Sequence, residues 1–262
     1  MIARFSIAAL PQLEFGSGSL ARLAELIRPF GHHALIVSGA RSFFDGPHWP
    51  DLENQFNSAG IRYSTARIRG EPSPELIDSL VATHRHIGIS CVIGIGGGSA
   101  LDAAKAIAGL LVPGNSVMDH LEGVGPELPY RGPAIPFVAV PTTAGTGSEA
   151  TKNAVLSRTG PDGFKKSFRD AQLVARIAIV DPDLLASCPA ELIASNGMDA
   201  FTQLLESYVS ARANPFTDAL ALSGLAAVKE SLLNWYRGTG DAAEARTGMA
   251  YAAYVSGVTL AQ

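Results

Sequence analysis

The feature that most constrains the fold is an alternation, up to about Asp181, of short apolar runs with stretches of helical periodicity. The runs are rich in Val and Ile and are mostly apolar throughout, which is typical of parallel strands covered on both faces. Strands that alternate with helices indicate right-handed βαβ units in an open α/β sheet. The predicted strands are HALIVS (33–38), IRYSTARI (61–68), CVIGIG (91–96), FVAVP (137–141) and RIAIVD (176–181), and the predicted helices between them are SLARLAELIRPF, SPELIDSLVATHRHIG and SALDAAKAIAGLL.

Beyond Asp181 the strand pattern ends and helical periodicity continues to the last residue. Pro189 and Pro215 stand near two of the predicted helix starts, where proline is tolerated. The sequence therefore predicts a Rossmann-like α/β domain over 1–182, followed by an all-helical domain over 183–262. Because MAYAAYVSGVTLAQ is still apolar and helical at Gln262, we expect the helical domain to be incomplete in this chain.

The composition excludes some classes of partner. The 262 residues carry a formal net charge of -4, which gives no basic face for nucleic-acid phosphates. The longest apolar run is interrupted by Asp102 and Lys105, so we expect no membrane span. Cys91 and Cys188 lie far apart, outside any metal-ligand spacing, and are expected to be thiols in a reducing cytoplasm.

A glycine-rich turn follows the predicted strand at 91–96 and opens a helix. Gly96, Gly97, Gly98 and Ser99 carry little or no side chain, so the backbone can approach a phosphate at the positive end of that helix. A tight strand-to-helix turn without a ligand explains the glycines equally well. Asp102, three residues after Ser99, is expected both to form a capping pair with it and to stand near a ligand bound at this turn.

A second polar run follows the predicted strand at 137–141. It contains Thr142, Thr143, Thr146 and Ser148 among glycines. Hydroxyl groups at the carboxyl end of a parallel strand lie where α/β sheets bind ligands. A ligand-binding loop is therefore the preferred interpretation, although a bland polar loop remains possible.

Together these segments resemble the iron-containing alcohol dehydrogenase family, a metal-dependent group that also includes butanol, propanediol and lactaldehyde dehydrogenases and maleylacetate reductase. Their order and spacing hold along the whole chain. The matching segments are LEFGSGSL near the start, EPSP at 71–74, GIGGGSALDAAKAIA, PTTAGTGSEAT, IAIVDPDLL and NGMDAFTQLLESYVS.

The resemblance implies an oxidoreductase that transfers a hydride between NAD or NADP and an alcohol, aldehyde or ketone. The dinucleotide would lie between the two domains, with its pyrophosphate on the glycine turn and its nicotinamide ribose beside the threonines. Lys165 would reach the sugar hydroxyls. The cofactor-binding residues implied in this way are Gly39, Ser73, Gly96, Gly97, Gly98, Ser99, Asp102, Thr142, Thr143, Thr146, Ser148 and Lys165.

The resemblance also implies a divalent metal, usually iron or zinc, held by one aspartate and three histidines of the helical domain. Asp199 matches the aspartate, and Gln203 stands where the first histidine belongs. The other two histidines would lie beyond Gln262, since all six histidines of this chain fall in the α/β half. Glutamine ligates iron or zinc less readily than imidazole does, so the metal site is doubtful in this chain.

Cofactor choice and assembly are two further expectations. Many NAD-preferring relatives carry an aspartate where this sequence has Gly39, and Arg41 follows two residues on. Loss of the acid and a nearby arginine predict that NADP is accepted at least comparably to NAD. The resemblance further implies a homodimer, or a higher homo-oligomer, paired through the N-terminal segment IARFSIAALPQLEFG.

Two other functions remain open from the sequence. One is a dehydroquinate-synthase-like lyase, which shares the fold and a GGG turn but lacks the Gly-Thr-Gly-Ser-Glu run. The other is a non-catalytic nucleotide-binding remnant, favoured by Gln203. The identity of the substrate is not encoded in any of these motifs.

Overall fold

The computed structural model describes residues 4–40 and 42–261. Its main element is a six-stranded sheet of order β1-β8-β5-β4-β2-β3, in which every neighbouring pair is parallel. A separate two-stranded antiparallel hairpin pairs β6 with β7. The strands are β1 (Gln12–Phe15), β2 (His33–Gly39), β3 (Arg62–Ile68), β4 (Cys91–Gly96), β5 (Phe137–Pro141), β6 (Asn153–Arg158), β7 (Phe164–Arg169) and β8 (Ile177–Val180).

Helices cover both faces of the sheet and make up the last third of the chain. The α-helices are α1 (Leu23–Ile27), α2 (His48–Ser58), α3 (Pro74–His84), α4 (Gly98–Leu110), α5 (Ala190–Val209), α6 (Pro215–Arg237) and α7 (Ala242–Leu260). Short 3-10 turns occupy Ser19–Arg22, Arg28–Phe30, Val117–Asp119, Ser148–Ala150, Ala171–Leu173 and Pro182–Leu185.

The predicted sheet is confirmed, and the burial of its central strands explains why their sequences are apolar throughout. Every residue of β4 and β5 is buried, so both faces of the central strands are covered. One face packs on α3 and α4, and the other packs on α1 and α2. This is the layered arrangement expected of alternating strands and helices.

Two regular elements are absent from the sequence prediction. α2 was missed because its periodicity is weak: only Leu52 and Phe56 of its 11 residues are buried. The hairpin of β6 and β7 was missed because β7 reads FKKSFR, and only Phe168 in it is buried. In the N-terminal segment IARFSIAALPQLEFG, where strand-like runs are predicted, Gln12–Phe15 forms β1, whereas residues 4–10 are irregular and exposed.

The three predicted C-terminal helices are present and pack on one another and on the sheet. α7 is the central one, with 11 buried residues. It approaches the α/β part so closely that a Cβ on Gly257 would lie 2.1 Å from the carbonyl oxygen of Gly147. Because that neighbour is backbone, only glycine allows the approach. Among the described residues, no helix is both long and apolar enough to cross a membrane.

Candidate functional site

The glycine turn and the threonine run lie together at the carboxyl edge of the sheet. β4 and β5 are neighbours, and the amide of Thr142 donates to the carbonyl oxygen of Gly96 at 2.9 Å. A Cβ on Gly97 would lie 3.2 Å from Oγ1 of Thr143, and one on Gly98 would lie 2.8 Å from Cγ2 of Thr146. The two segments singled out from the sequence therefore form one surface.

The start of α4 differs from the sequence expectation. The N-cap is Gly97, which contributes no side-chain hydrogen bond to the helix. Its φ of -76° is available to any residue, so glycine is needed here for space and not for a left-handed backbone. The first turn of the helix thus has no side-chain cap, which leaves backbone N–H groups for an anion.

The predicted capping pair of Ser99 with Asp102 is wrong. Asp102 points to the neighbouring loop, where one carboxylate oxygen accepts a hydrogen bond from the hydroxyl of Ser148 at 2.5 Å. The same oxygen lies 3.7 Å from the ammonium of Lys105. An i, i+3 spacing suggested a cap, but the hydroxyl of Ser148 and the nearby ammonium of Lys105 hold the carboxylate instead.

Lys105 ties the loop at Ser148 to the helix behind the glycine turn. Its side chain is fully buried, and its ammonium lies within 3.1 Å of four acceptor oxygens, with three hydrogens to share among them. Burial lowers the pKa of Lys105, while the carboxylates of Asp102 and Glu149 raise it. The four oxygens are Ser148 O and Oγ, Thr151 Oγ1 and Asn153 O.

Glu149 is a second buried charged group beside this cluster. Burial raises its pKa to about 7, against the lowering effect of its own backbone N–H and of Lys105. Its side chain lines a small cavity with Thr143, Asp181 and Ala253, where the sheet meets α7. Sequence analysis did not single out this residue, because a glutamate in a polar loop carries no sign of being buried.

Ser73 and Lys165, two of the implied cofactor-binding residues, both contact other residues of the chain. The hydroxyl of Ser73 accepts a hydrogen bond from the amide of Leu76 at 3.3 Å and caps α3. Lys165 on β7 is exposed and forms an ion pair with Glu71, whose pKa it lowers. The structure thus places Lys165 opposite a carboxylate, a partner that the sequence did not indicate.

Gly39 ends β2 next to the glycine turn. A Cβ on Gly96 would lie 3.4 Å from the amide nitrogen of Gly39, so these two strand ends adjoin. Arg41, which the sequence offered as a phosphate ligand, lies outside the described residues.

A pocket beside Thr142 brings in residues that sequence analysis did not identify. Its lining includes Phe43, His48, Leu184 and Ser187. These residues come from the start of α2 and from the turn after β8, and only the fold brings them to the end of β5. The motif IAIVDPDLL, which contains Leu184, was the one sequence signal for this wall.

Comparison with known proteins was made on sequence and on structure. The model of the family described as "Iron-containing alcohol dehydrogenase" matches residues 11–182, and that of the "Fe-containing alcohol dehydrogenase family, C-terminal" matches residues 193–262. The chain belongs to the iron-containing alcohol dehydrogenase family.

Individual relatives agree with this assignment. Alcohol dehydrogenase 4 of Saccharomyces cerevisiae is 34% identical over 250 residues, covering 93% of this chain. The NAD-dependent methanol dehydrogenase of Bacillus methanolicus is 32% identical over 250 residues, covering 95% of this chain. The chain spans only 63% and 64% of the lengths of these two relatives.

A solved structure of the family has the same fold. The crystal structure of an iron-containing alcohol dehydrogenase from Thermotoga maritima superposes with a TM-score of 0.87 at 29% identity, covering 99% of this chain and 69% of that one. Membership in this family favours the alcohol dehydrogenase interpretation over the dehydroquinate-synthase-like one.

The iron-containing alcohol dehydrogenase family uses NAD(H) and a divalent metal. Asp199 on α5 is exposed. The side-chain oxygen of Gln203 accepts a hydrogen bond from the hydroxyl of Ser256 on α7 at 3.0 Å. Within 4–40 and 42–261, no three His, Cys, Asp or Glu side chains lie close enough together to hold a metal ion. The residues present therefore do not fit a complete iron or zinc site.

Replacement of Glu149 by Gln should change how stability depends on pH. The unfolded carboxyl ionises near 4.5 and the folded one near 7. Between those values only the folded chain holds the proton, so the free energy of unfolding falls as the pH rises, and the full cost is present above the folded pKa. Relative to Glu149→Gln, we expect the parent to lose about 1–3 kcal/mol between about pH 5 and about pH 8.

Urea denaturation at the two pH values measures this difference. The control is Glu230→Gln, which removes an exposed carboxylate on α6 and should leave the pH dependence of the parent unchanged. If Glu149→Gln and the parent respond to pH in parallel, the carboxyl at this position ionises normally and the argument from burial is wrong.

Proposed function

We propose that this chain binds NAD or NADP at the carboxyl edge of the sheet and belongs to an oxidoreductase acting on alcohols or aldehydes. The observation that carries the proposal is the convergence of the glycine turn and the threonine run on one surface. That surface combines an uncapped helix N-terminus with hydroxyl groups, which suits a pyrophosphate and a ribose.

In the proposed reaction a bound nicotinamide would accept a hydride from the alcohol carbon, and the hydroxyl proton would pass to water. The redox chemistry belongs to the cofactor, and the protein contributes binding and orientation. The polypeptide holds the pyrophosphate at Gly96, Gly97, Gly98 and Ser99, holds the nicotinamide ribose near Thr142, Thr143 and Thr146, and orders that loop through Asp102 and Ser148. Gly39, Ser73 and Lys165 would line the sugars.

The proposed boundary between the α/β domain and the helical domain lies at 182/183. The last strand of the sheet ends at Val180 and the first long C-terminal helix starts at Ala190, which supports an α/β domain over 1–182 and a helical domain over 183–262. A cytoplasmic location is supported by the two free cysteines, Cys91 and Cys188.

Replacement of Gly97 by Val tests the phosphate site. The new side chain would press on Thr143 and cover the helix N-terminus, so we expect dinucleotide binding to weaken at least about tenfold, the equivalent of one lost hydrogen bond to a charged group. Titration of NADH or NADPH fluorescence measures the affinity, and circular dichroism checks that the fold is kept.

The matched control is Ala82→Val, which adds similar bulk at an exposed position on α3. Its affinity for the dinucleotide should equal that of the parent. Parental affinity in Gly97→Val would show that the phosphate binds elsewhere.

Metal content distinguishes an active metal-dependent dehydrogenase from a non-catalytic nucleotide-binding remnant. Asp199 and Gln203 offer two oxygen ligands, whereas a tight transition-metal site needs three or more protein ligands. For these 262 residues we expect far less than one equivalent of iron or zinc and little dehydrogenase activity, with dinucleotide binding retained. Elemental analysis that finds one equivalent, lost in Asp199→Ala, would contradict this.

We also propose that the protein assembles as a homodimer through β1. This strand lies at the edge of the sheet and pairs only with β8, and Leu13 and Phe15 on it are each 39% exposed. An open edge with apolar side chains favours pairing with another chain.

Light scattering at micromolar concentration should give twice the mass of one chain. Leu13→Lys should shift the mass towards the monomer, since a lysine on an edge strand opposes pairing. Leu222→Lys, a change at another exposed leucine on α6, should not. A monomeric parent would refute the assembly.

A further inference from the structure

Two neighbouring strands end side by side next to the glycine turn. β2 ends at Gly39 and β3 ends at its register partner Ile68, and Ser38 lies opposite Arg67. Since Gly39 also adjoins Gly96, this corner of the sheet lies beside the proposed pyrophosphate site. In doubly wound folds, the ribose of a dinucleotide extends from the pyrophosphate towards the end of the adjacent strand.

Gly39 leaves this corner open although the fold does not require a glycine there. A Cβ at this position would meet nothing within 4 Å, and its φ lies outside the left-handed range. An acidic side chain would be accommodated, and it would bind the ribose hydroxyls and repel a 2′-phosphate. The sequence has neither that acid nor any other side chain at this position.

Arg67 places a positive charge at the edge of this open corner, and two contacts hold its guanidinium in position. Its Nη1 donates to the carbonyl oxygen of Ala40, the residue after Gly39, at 3.1 Å. Its guanidinium lies 4.7 Å from the centroid of the Phe44 ring, and that ring packs edge-on against Trp49 at 4.6 Å. A backbone acceptor on one side and an aromatic face on the other hold the guanidinium plane in place.

No carboxylate of the described residues neutralises the charge of Arg67. Among the described residues, no carboxylate oxygen lies within 4 Å of its side chain, whereas other arginines such as Arg158 and Arg169 have such partners. The guanidinium has five N–H donors, and one is used by Ala40. The remaining donors are available to an anion.

We infer that Arg67 binds the 2′-phosphate of NADP and makes the protein prefer NADP over NAD. The inference rests on the proposed dinucleotide site. A phosphate monoester at the ribose 2′ position is a dianion with three oxygens, which matches the planar fork of a pre-oriented guanidinium. Gly39 gives the phosphate room, and Arg67 gives it a partner.

The test compares the affinities of the parent, Arg67→Gln, Arg67→Lys and Arg62→Gln for NADPH and for NADH by fluorescence titration. Arg62 is a matched control, since it is an exposed arginine at the opposite end of β3. We expect the parent to favour NADPH, and Arg67→Gln to lose about tenfold in affinity for NADPH but less than about twofold for NADH. Arg67→Lys should fall in between, and Arg62→Gln should match the parent.

A second measurement needs no variant. On the parent, 2′,5′-ADP should displace NADPH at lower concentration than ADP does, and the advantage should shrink as salt is added. Equal losses for both dinucleotides in Arg67→Gln would mean that Arg67 only supports the loop, and equal competition by the two ADP compounds would overturn the inference. Binding of NADH without discrimination refutes this inference alone, whereas binding of neither dinucleotide refutes the proposed function as well.

Discussion

The site depends on one buried ammonium group. Lys105 is fully buried in α4, and it reaches a loop that is more than 40 residues away in sequence. Removal of its charge would leave several buried oxygens without a donor and the Asp102 carboxylate without a compensating charge, which costs about 3–5 kcal/mol in typical buried pairs. Because Ser148 ends the loop that carries Thr142, Thr143 and Thr146, these contacts fix one end of the run of hydroxyl groups.

The contacts of Lys105 also show which features of the fold can be predicted from the sequence and which cannot. β4 and β5 were predicted with their observed bounds, because five or six buried residues in a row are an unmistakable local pattern. Lys105 carried no such signal, since its acceptors are supplied by residues 148–153. The prediction for Asp102 is wrong for the same reason. Its spacing from Ser99 matches a local capping pattern, but the hydroxyl of Ser148, which is distant in sequence, determines the orientation of the carboxylate.

The residues of the candidate site also separate into those that the sequence predicts and those that only the tertiary structure reveals. The glycine turn and the threonine run could be predicted because strand ends of a parallel sheet share one edge. Arg67 and Phe44 could not, because their contact depends on the loop geometry after β2. Gln203 was read as a weakened metal ligand, and its hydrogen bond to Ser256 gives it a structural partner that only the packing of α5 on α7 reveals.

The close approach of Gly147 to Gly257 has a consequence for how a ligand is received. The loop between β5 and β6 is held on one side by Lys105 and on the other by the backbone of α7, so it is immobilised before any ligand arrives. A ligand that meets an already ordered surface loses less conformational entropy on binding than one that must fold the surface around itself. A dinucleotide bound at this edge would therefore be selected by shape and charge more than by induced closure.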